Sequence, residues 1–121
     1  MLVKLADKQV ITAPAPEPSS IITDPVELGR FNRGAAILVQ QYTHGDMTFH
    51  YTLQVSNDLE AWREEGPSGT FVGPFAPVQS TGALNGRYVR AVLLLDGGTP
   101  GTTGHICVDL KLRLDVESLE Q

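Results

Sequence analysis

The chain has 121 residues, a formal net charge of −5, 41% hydrophobic residues and 19% charged ones. This length suits one domain that buries about two-thirds of its unfolded surface, and the composition is too apolar for a disordered chain and too polar for a membrane protein. Lys and Arg are scattered singly and no apolar run approaches the ~20 residues that cross a bilayer, so we expect binding to neither nucleic acid nor membrane.

The first 25 residues are predicted to form a segment distinct from the main domain. Within them, Pro14, Pro16 and Pro18 fix the backbone φ and remove hydrogen-bond donors, which favours an extended polyproline II conformation. This spacer either belongs to an arm outside the main domain or leads into an ordinary edge strand, and the pattern leaves both open. We therefore divide the chain into residues 1–25, an arm or edge strand with a Pro-rich spacer, and residues 26–121, the main domain.

Two strands and a turn are predicted in the middle of the chain. Residues 35–42 form a mainly apolar run, which is typical of a strand buried on both faces, and residues 43–46 are expected to close a hairpin. In residues 47–55 apolar and polar side chains alternate, which directs one face to a core and the other to solvent. Residues 56–58 have turn chemistry, because their short polar side chains bond back to the backbone.

A Gly- and Pro-rich stretch separates these strands from a long apolar one. Within residues 64–81 only short edge strands are predicted, around residues 70–72 and 77–80, because proline cannot donate to a central ladder. Residues 87–95 follow, and after the initial Arg87 only Arg90 interrupts their apolar character. We predict that this strand is central in its sheet.

Residues 106–116 carry the clearest pattern in the chain. Six apolar residues alternate without a break with Cys107, Asp109, Lys111, Arg113 and Asp115, which predicts a long strand with its back to a core and its front to solvent. Residues 117–121 are expected to fray or to add one helical turn. These strands, the Gly/Pro-rich turns and the lack of a helical pattern predict an all-β fold, a single antiparallel β-sandwich that is jelly-roll-like and has an extended Pro-rich N-terminal arm.

Residues with catalytic or metal-binding chemistry do not form a motif. The three histidines, His44, His50 and His105, have no spacing that requires a shared metal, although His50 and His105 would meet if their strands paired. The glycine-rich loop at residues 96–104 does not precede a helix and so lacks the amides that cradle phosphate. The single cysteine, Cys107, is expected to be a small, half-buried filler. We expect no enzymatic activity, no metal site and no cofactor.

Aromatic residues offer one alternative ligand site. Trp62, Phe71 and Phe75 would form a platform for sugar if they converged, because aromatic faces with a few polar groups hold carbohydrate. Trp62 follows a turn, however, and a tryptophan there commonly plugs the end of a sandwich core. We predict the plug and keep the platform as the alternative.

The stretch Leu53-Gln-Val-Ser-Asn-Asp-Leu-Glu-Ala-Trp62 resembles one found in two groups of small β-sandwich proteins. One group is the discoidin-like sugar- or lipid-binding modules, which are longer and often carry bridging cysteines. The other is the small virion proteins of tailed bacteriophages, and it fits more of the chain, about residues 22–115. Its further matching segments are Pro25-Val-Glu-Leu-Gly29, Gly86-Arg-Tyr-Val-Arg90, residues 99–104 and residues 106–114.

The resemblance to phage proteins implies a non-enzymatic virion structural protein, such as a capsid decoration or cement protein. It implies a homo-oligomer, with a trimer favoured, that contacts the major capsid protein or other virion proteins. Its place would be the virion, and the host cytoplasm during assembly. A Pro-stiffened segment loses little entropy when it orders against a neighbour. Interface residues are therefore expected at Pro14, Pro16, Pro18, Ile21 and Ile22, and a carbohydrate-binding module that uses Trp62 and nearby aromatics is the alternative.

Overall fold

The computed structural model describes residues 1–116, which form two antiparallel sheets packed face to face, so the fold is an all-β sandwich. The residues expected to fray or to form a helical turn, 117–121, lie outside this described part. The strands are β1 (Leu2–Pro14), β2 (Ser19–Ile22), β3 (Val26–Glu27), β4 (Arg33–His44), β5 (Thr48–Ser56), β6 (Arg63–Val72), β7 (Val78–Ala83), β8 (Tyr88–Asp96) and β9 (Thr103–Asp115).

The strands divide between the two sheets in a regular order. The four-stranded sheet runs β1-β9-β4-β7, and the five-stranded sheet runs β2-β8-β5-β6 with the short β3 also paired to β8. All recorded strand pairs are antiparallel. β8 is therefore central, as the mainly apolar character of residues 87–95 predicted.

The core lies between the two sheets and is built from the predicted inward faces. In β5 and β9 every second residue is buried, with Tyr51, Leu53, Leu110 and Leu112 all no more than 1% exposed. The two clean alternations of the sequence are thus confirmed, because a strand in a two-layer fold has one face to bury.

Residues 35–42 were predicted to be buried on both faces, and this is wrong for most of the strand. Leu38 is fully buried in the core, whereas Ile37 and Val39 point away from it and are half-buried on the outside. β8 repeats the arrangement, with Val92 and Leu94 half-buried on its outer side. A two-layer sandwich has no third layer to cover these positions, so both central strands present apolar side chains outward.

The connection at residues 43–46 is also different from the predicted hairpin. β4 belongs to the four-stranded sheet and β5 to the five-stranded one, so this segment carries the chain from one layer to the other. The Asp46 carboxylate holds it in place by accepting hydrogen bonds from the backbone N–H of Thr99 at 3.0 Å and from its hydroxyl at 2.6 Å. Local sequence cannot distinguish a crossover from a hairpin, because both need a short polar turn.

β6 is longer than the predicted edge strand because a bulge absorbs the Gly-Pro pair. Its pairing with β5 shifts register between Thr52 and Gln54, opposite Gly66 and Pro67. Gly66 has φ +86°, a conformation that glycine adopts without a steric penalty. β6 and β7 are both sheet edges, as their prolines predicted.

Most of the first 25 residues lie within the sandwich. β1 is an edge strand hydrogen-bonded to β9, and β2 is an edge strand hydrogen-bonded to β8. The Pro-rich residues 14–18 turn the chain between the sheets, where the N–H of Glu17 donates to the carbonyl of Pro14 at 2.8 Å. Edge strands are therefore present, and an extended arm outside the sandwich is not confirmed.

Candidate functional site

The outer surfaces of the two sheets are the candidate sites, since no cavity for a small molecule is detected among residues 1–116. No helix in that part of the chain is long and apolar enough to cross a membrane. The same residues contain no group of three or more His, Cys, Asp or Glu side chains placed to share a metal ion.

The outer side of the four-stranded sheet carries an apolar surface that we call the Tyr42 face. It comprises Val10, Ile37, Val39, Tyr42 and Cys107, on the three strands β1, β4 and β9. Val10 and Tyr42 both pair with Cys107 in the sheet, so the three side chains form one row across the strands. Val10 is 44% exposed and Tyr42 51% exposed, while Cys107 between them is only 5% exposed.

The thiol of Cys107 is shielded at the centre of this row. Burial raises the pKa of Cys107, and the nearby negative charge of Asp109 adds to the effect. Cys107 was expected to be a small, half-buried side chain. It is almost fully buried and lies between its cross-strand neighbours Val10 and Tyr42. A protonated, shielded thiol is a poor nucleophile and a poor metal ligand.

Asp109 anchors the polar border of the Tyr42 face. Its carboxylate accepts a hydrogen bond from the backbone N–H of Lys8 at 2.6 Å and another from the Gln41 side-chain amide. The Lys8 hydrogen bond is the main reason that the pKa of Asp109 lies below its usual value. Lys8 adopts φ +48° at a register shift of β1, so this carboxylate stabilises an irregular point of the edge strand.

A second candidate surface on the outer side of the five-stranded sheet is the Trp62 cluster, made of Gln54, Trp62 and Arg90. The guanidinium carbon of Arg90 lies 4.0 Å from the centroid of the Trp62 ring, and Arg90 Nε donates to Gln54 Oε1 at 2.9 Å. Trp62 is half-buried there and does not plug the core, so that prediction is wrong. The turn after β5 brings the indole over an outward arginine of β8, a placement that depends on the pairing of β5 with β8.

Phe71 and Phe75 do not join Trp62 in a platform. Their rings stack on each other with centroids 4.4 Å apart, and both pack against the core. Phe71 also stacks against Tyr51, and Phe75 against Phe49, which are inward residues of β5. The predicted aromatic set is thus divided between the outside and the inside of the sheet.

The expected interface residues near the N terminus are also separated. Pro14 ends β1, Pro16 and Pro18 lie in the turn between the sheets, and all three are exposed. Ile21 packs against the core, whereas Ile22 is 54% exposed and pairs with Val92 on the outer side of the five-stranded sheet. Pro14, Pro16, Pro18 and Ile22 are thus exposed and Ile21 is half-buried, and the five residues are divided between β1, the turn and β2.

His50 and His105 do not meet, because their strands belong to different sheets. His50 lies in the five-stranded sheet, where Nε2 is 2.9 Å from Asp96 Oδ1 and Nδ1 is 3.1 Å from Thr70 Oγ1. His105 lies in the four-stranded sheet and is directly opposite His44. Only the register of β4 against β9 reveals this second pair.

The chain matches no model of a known protein family, and no curated protein matches it significantly.

Proposed function

We propose that this protein is a non-enzymatic structural protein of a tailed-phage or prophage virion, a capsid decoration or cement protein that acts through protein–protein contacts. The observation that carries the proposal is the Tyr42 face. Sheets of a two-layer sandwich commonly alternate apolar inward and polar outward residues. Here Val10, Ile37, Val39 and Tyr42 depart from that alternation on the outer side of the four-stranded sheet, beside Lys111 and Asp109, which pair with Ile37 and Val39.

The composition of the Tyr42 face suits a contact with protein. Contiguous exposed apolar side chains mark interaction sites more often than isolated ones do, and tyrosine is enriched at the energetic centres of interfaces. Asp109 and its hydrogen bonds provide a polar border that fixes orientation. Such a surface fits the flat surface of a folded protein partner.

The strand order supports a jelly roll as the finer description of the sandwich. Four nested pairs, β1 with β9, β2 with β8, β4 with β7 and β5 with β6, are each hydrogen-bonded. Eight strands folded in this nested way form two four-stranded layers, an architecture used by viral capsid proteins and lectins among others. This is a likeness of architecture, and the resemblance of residues 22–115 to phage virion proteins gives the proposal its direction.

As partners we propose a second and third copy of the chain in a homotrimer, and the major capsid protein or another virion protein. The protein would then reside in the virion, and in the host cytoplasm during assembly. In a cyclic trimer each copy meets its two neighbours through two complementary patches, and we propose that the Tyr42 face supplies one of them.

The solution mass of the full chain, measured by size-exclusion chromatography with light scattering, tests the proposal. The wild type is expected to form a trimer, and the double variant Val10→Ser/Tyr42→Ser to run as a monomer, because it loses the exposed apolar row. Val72→Ser is the matched control, since Val72 is 69% exposed on the other sheet. A monomeric wild type that also fails to co-sediment with expanded capsids of the encoding phage would refute the proposal.

A carbohydrate-binding module is the second candidate, and the Trp62 cluster favours it. A half-exposed indole beside Gln54 and Arg90 on an open sheet combines an apolar ring with polar groups. A glycan array followed by titration of Trp62 fluorescence tests this reading. Binding that persists in Trp62→Ala, or an array without hits, would remove it.

A further inference from the structure

His44 and His105 form a cross-strand pair at one end of the four-stranded sheet. His44 is the last residue of β4, and His105 lies directly opposite it in β9. Directly opposed residues of antiparallel strands project from the same face. The two imidazole rings have centroids 5.9 Å apart and are tilted by 35°. His44 is exposed and His105 half-buried, so both are accessible to an ion from solvent.

This separation fits two imidazoles bound to one metal ion. A metal–nitrogen bond of about 2.0–2.1 Å, with the ring centre about 1.1 Å further on, puts two ring centroids about 5–6 Å apart at angles from tetrahedral to wider ones. The measured 5.9 Å lies within that range.

Thr12 supplies the outer contact that a ligating histidine needs. Its Oγ1 lies 3.0 Å from His105 Nδ1, and Thr12 is the β1 neighbour of His105 in the sheet. When Nδ1 carries the proton and donates to this hydroxyl, Nε2 keeps its lone pair for a metal. Histidines that bind metals are regularly oriented by such a hydrogen bond through the second nitrogen.

Asp46, two residues beyond His44 in the chain, is engaged with another residue. Both carboxylate oxygens of Asp46 accept hydrogen bonds from Thr99. Imidazole nitrogens suit copper, nickel and zinc, whereas magnesium and calcium require oxygen ligands.

We propose that His44 and His105 bind a late first-row divalent transition metal, Cu²⁺, Ni²⁺ or Zn²⁺, as a two-histidine chelate that Thr12 orients, with water in the remaining coordination positions. This site is the next outward row beyond Val10, Cys107 and Tyr42 on the same sheet, and it does not rest on the proposed function. It lies at the end of the sheet where β1, β9 and β4 meet, so a bound ion joins β4 and β9.

Isothermal titration of the untagged full chain with NiCl₂, ZnCl₂ and MgCl₂ tests the site. We expect one saturable site for nickel and zinc and none for magnesium. His44→Gln and His105→Gln should each weaken binding by at least about tenfold, and Thr12→Val should weaken it by about tenfold, as loss of an orienting contact does. His50→Gln is the matched control, because His50 lies on the other sheet with Asp96 and Thr70 as partners.

Two further readouts keep the proposal falsifiable if a variant is unstable. Nickel should raise the Tm of the wild type but not of His44→Gln, since an ion that binds only the folded state stabilises it. His44 is exposed at a strand end, so its replacement is not expected to unfold the protein.

In NMR spectra Cu²⁺ should broaden resonances of His44, His105 and Thr12 first. Unchanged affinity in His44→Gln, or broadening centred on His50, would overturn the proposal.

Discussion

The Arg90 guanidinium lies over the ring of Trp62, with its carbon 4.0 Å from the ring centroid, while Arg90 Nε donates to Gln54 at 2.9 Å. This contact ties the segment between β5 and β6 to the outer side of β8. A cation above an indole contributes about 0.5–1 kcal/mol at exposed sites and more when water is excluded. The planar guanidinium of Arg90 lies over the indole and donates to the side-chain oxygen of Gln54 at the same time. A lysine ammonium would make these two contacts with a different geometry.

Replacement of Arg90 should loosen Trp62 without unfolding the protein. We expect Arg90→Ala to lower the free energy of unfolding by about 1 kcal/mol and to shift the emission of Trp62 to longer wavelength, because the indole gains contact with water. Trp62 is the single tryptophan of the chain, so fluorescence reports this site alone. Arg113→Ala, an exposed arginine on the other sheet, is the control. An unchanged emission maximum in Arg90→Ala would contradict the contact.

Tyr51→Phe should leave the protein at least as stable as the wild type. The Tyr51 hydroxyl is buried and has no hydrogen-bond partner among the described residues by distance and angle. Burial raises the pKa of Tyr51, and the nearby Ser80 hydroxyl opposes this only in part. Removing an unsatisfied buried hydroxyl relieves a desolvation cost of about 1–3 kcal/mol, so we expect the urea midpoint to rise.

Two controls decide how the Tyr51 result is interpreted. Tyr42→Phe changes the same group at an exposed position, 51% accessible, and should alter the free energy of unfolding by less than about 0.5 kcal/mol. A loss of more than about 1 kcal/mol in Tyr51→Phe would mean that the hydroxyl is hydrogen-bonded after all. Ser80→Ala would then show whether Ser80 is the partner.

The parts of the fold that were predicted correctly depend on local periodicity. The alternation in β5 and β9 correctly predicted which side of each strand faces the core. Successive side chains point to opposite faces, so the apolar set of an alternating strand marks its buried face. Several other features depend on partners that are distant in the chain. Residues 43–46 join two sheets, Trp62 packs on Arg90, and His44 meets His105, and each of these depends on strand pairing that periodicity does not encode. The candidate surfaces therefore emerged only from the three-dimensional arrangement.

Acid should destabilise the protein partly through Asp58. Its Oδ1 accepts hydrogen bonds from the backbone N–H groups of Ala61 and Glu60, both at 2.9 Å, and from the hydroxyl of Ser56 at 3.0 Å. The Ala61 contact is the largest reason that the pKa of Asp58 lies below its usual value. Its stabilising contribution is therefore complete above the unfolded value of about 3.9 and is lost as the pH falls through the lower folded pKa.

Urea unfolding followed from neutral pH to below about pH 4 measures this dependence. We expect Asp58→Asn to be less stable than the wild type at neutral pH and to lose less stability on acidification, because asparagine does not titrate. Asp46 and Asp109 also have lowered pKa values, so part of the acid dependence should remain. Asp24→Asn, at an exposed position, is the control. Parallel acid profiles for Asp58→Asn and the wild type would disprove the assignment.

Reaction of Cys107 with a thiol reagent should report whether the Tyr42 face is covered. The thiol is 5% exposed between Val10 and Tyr42, and burial raises its pKa, so little reactive thiolate exists at neutral pH. We expect the folded wild type to label far more slowly than the unfolded chain. Tyr42→Ala should label faster than the folded wild type, because it truncates one of the two cross-strand neighbours of Cys107. Val72→Ala, on the opposite sheet, should label like the wild type.

If the Tyr42 face mediates assembly, labelling of the Cys107 thiol in the wild type should slow further as protein concentration rises, since association buries the row of Val10, Cys107 and Tyr42. A rate that is independent of concentration in a sample proven oligomeric would place the subunit contact elsewhere on the molecule.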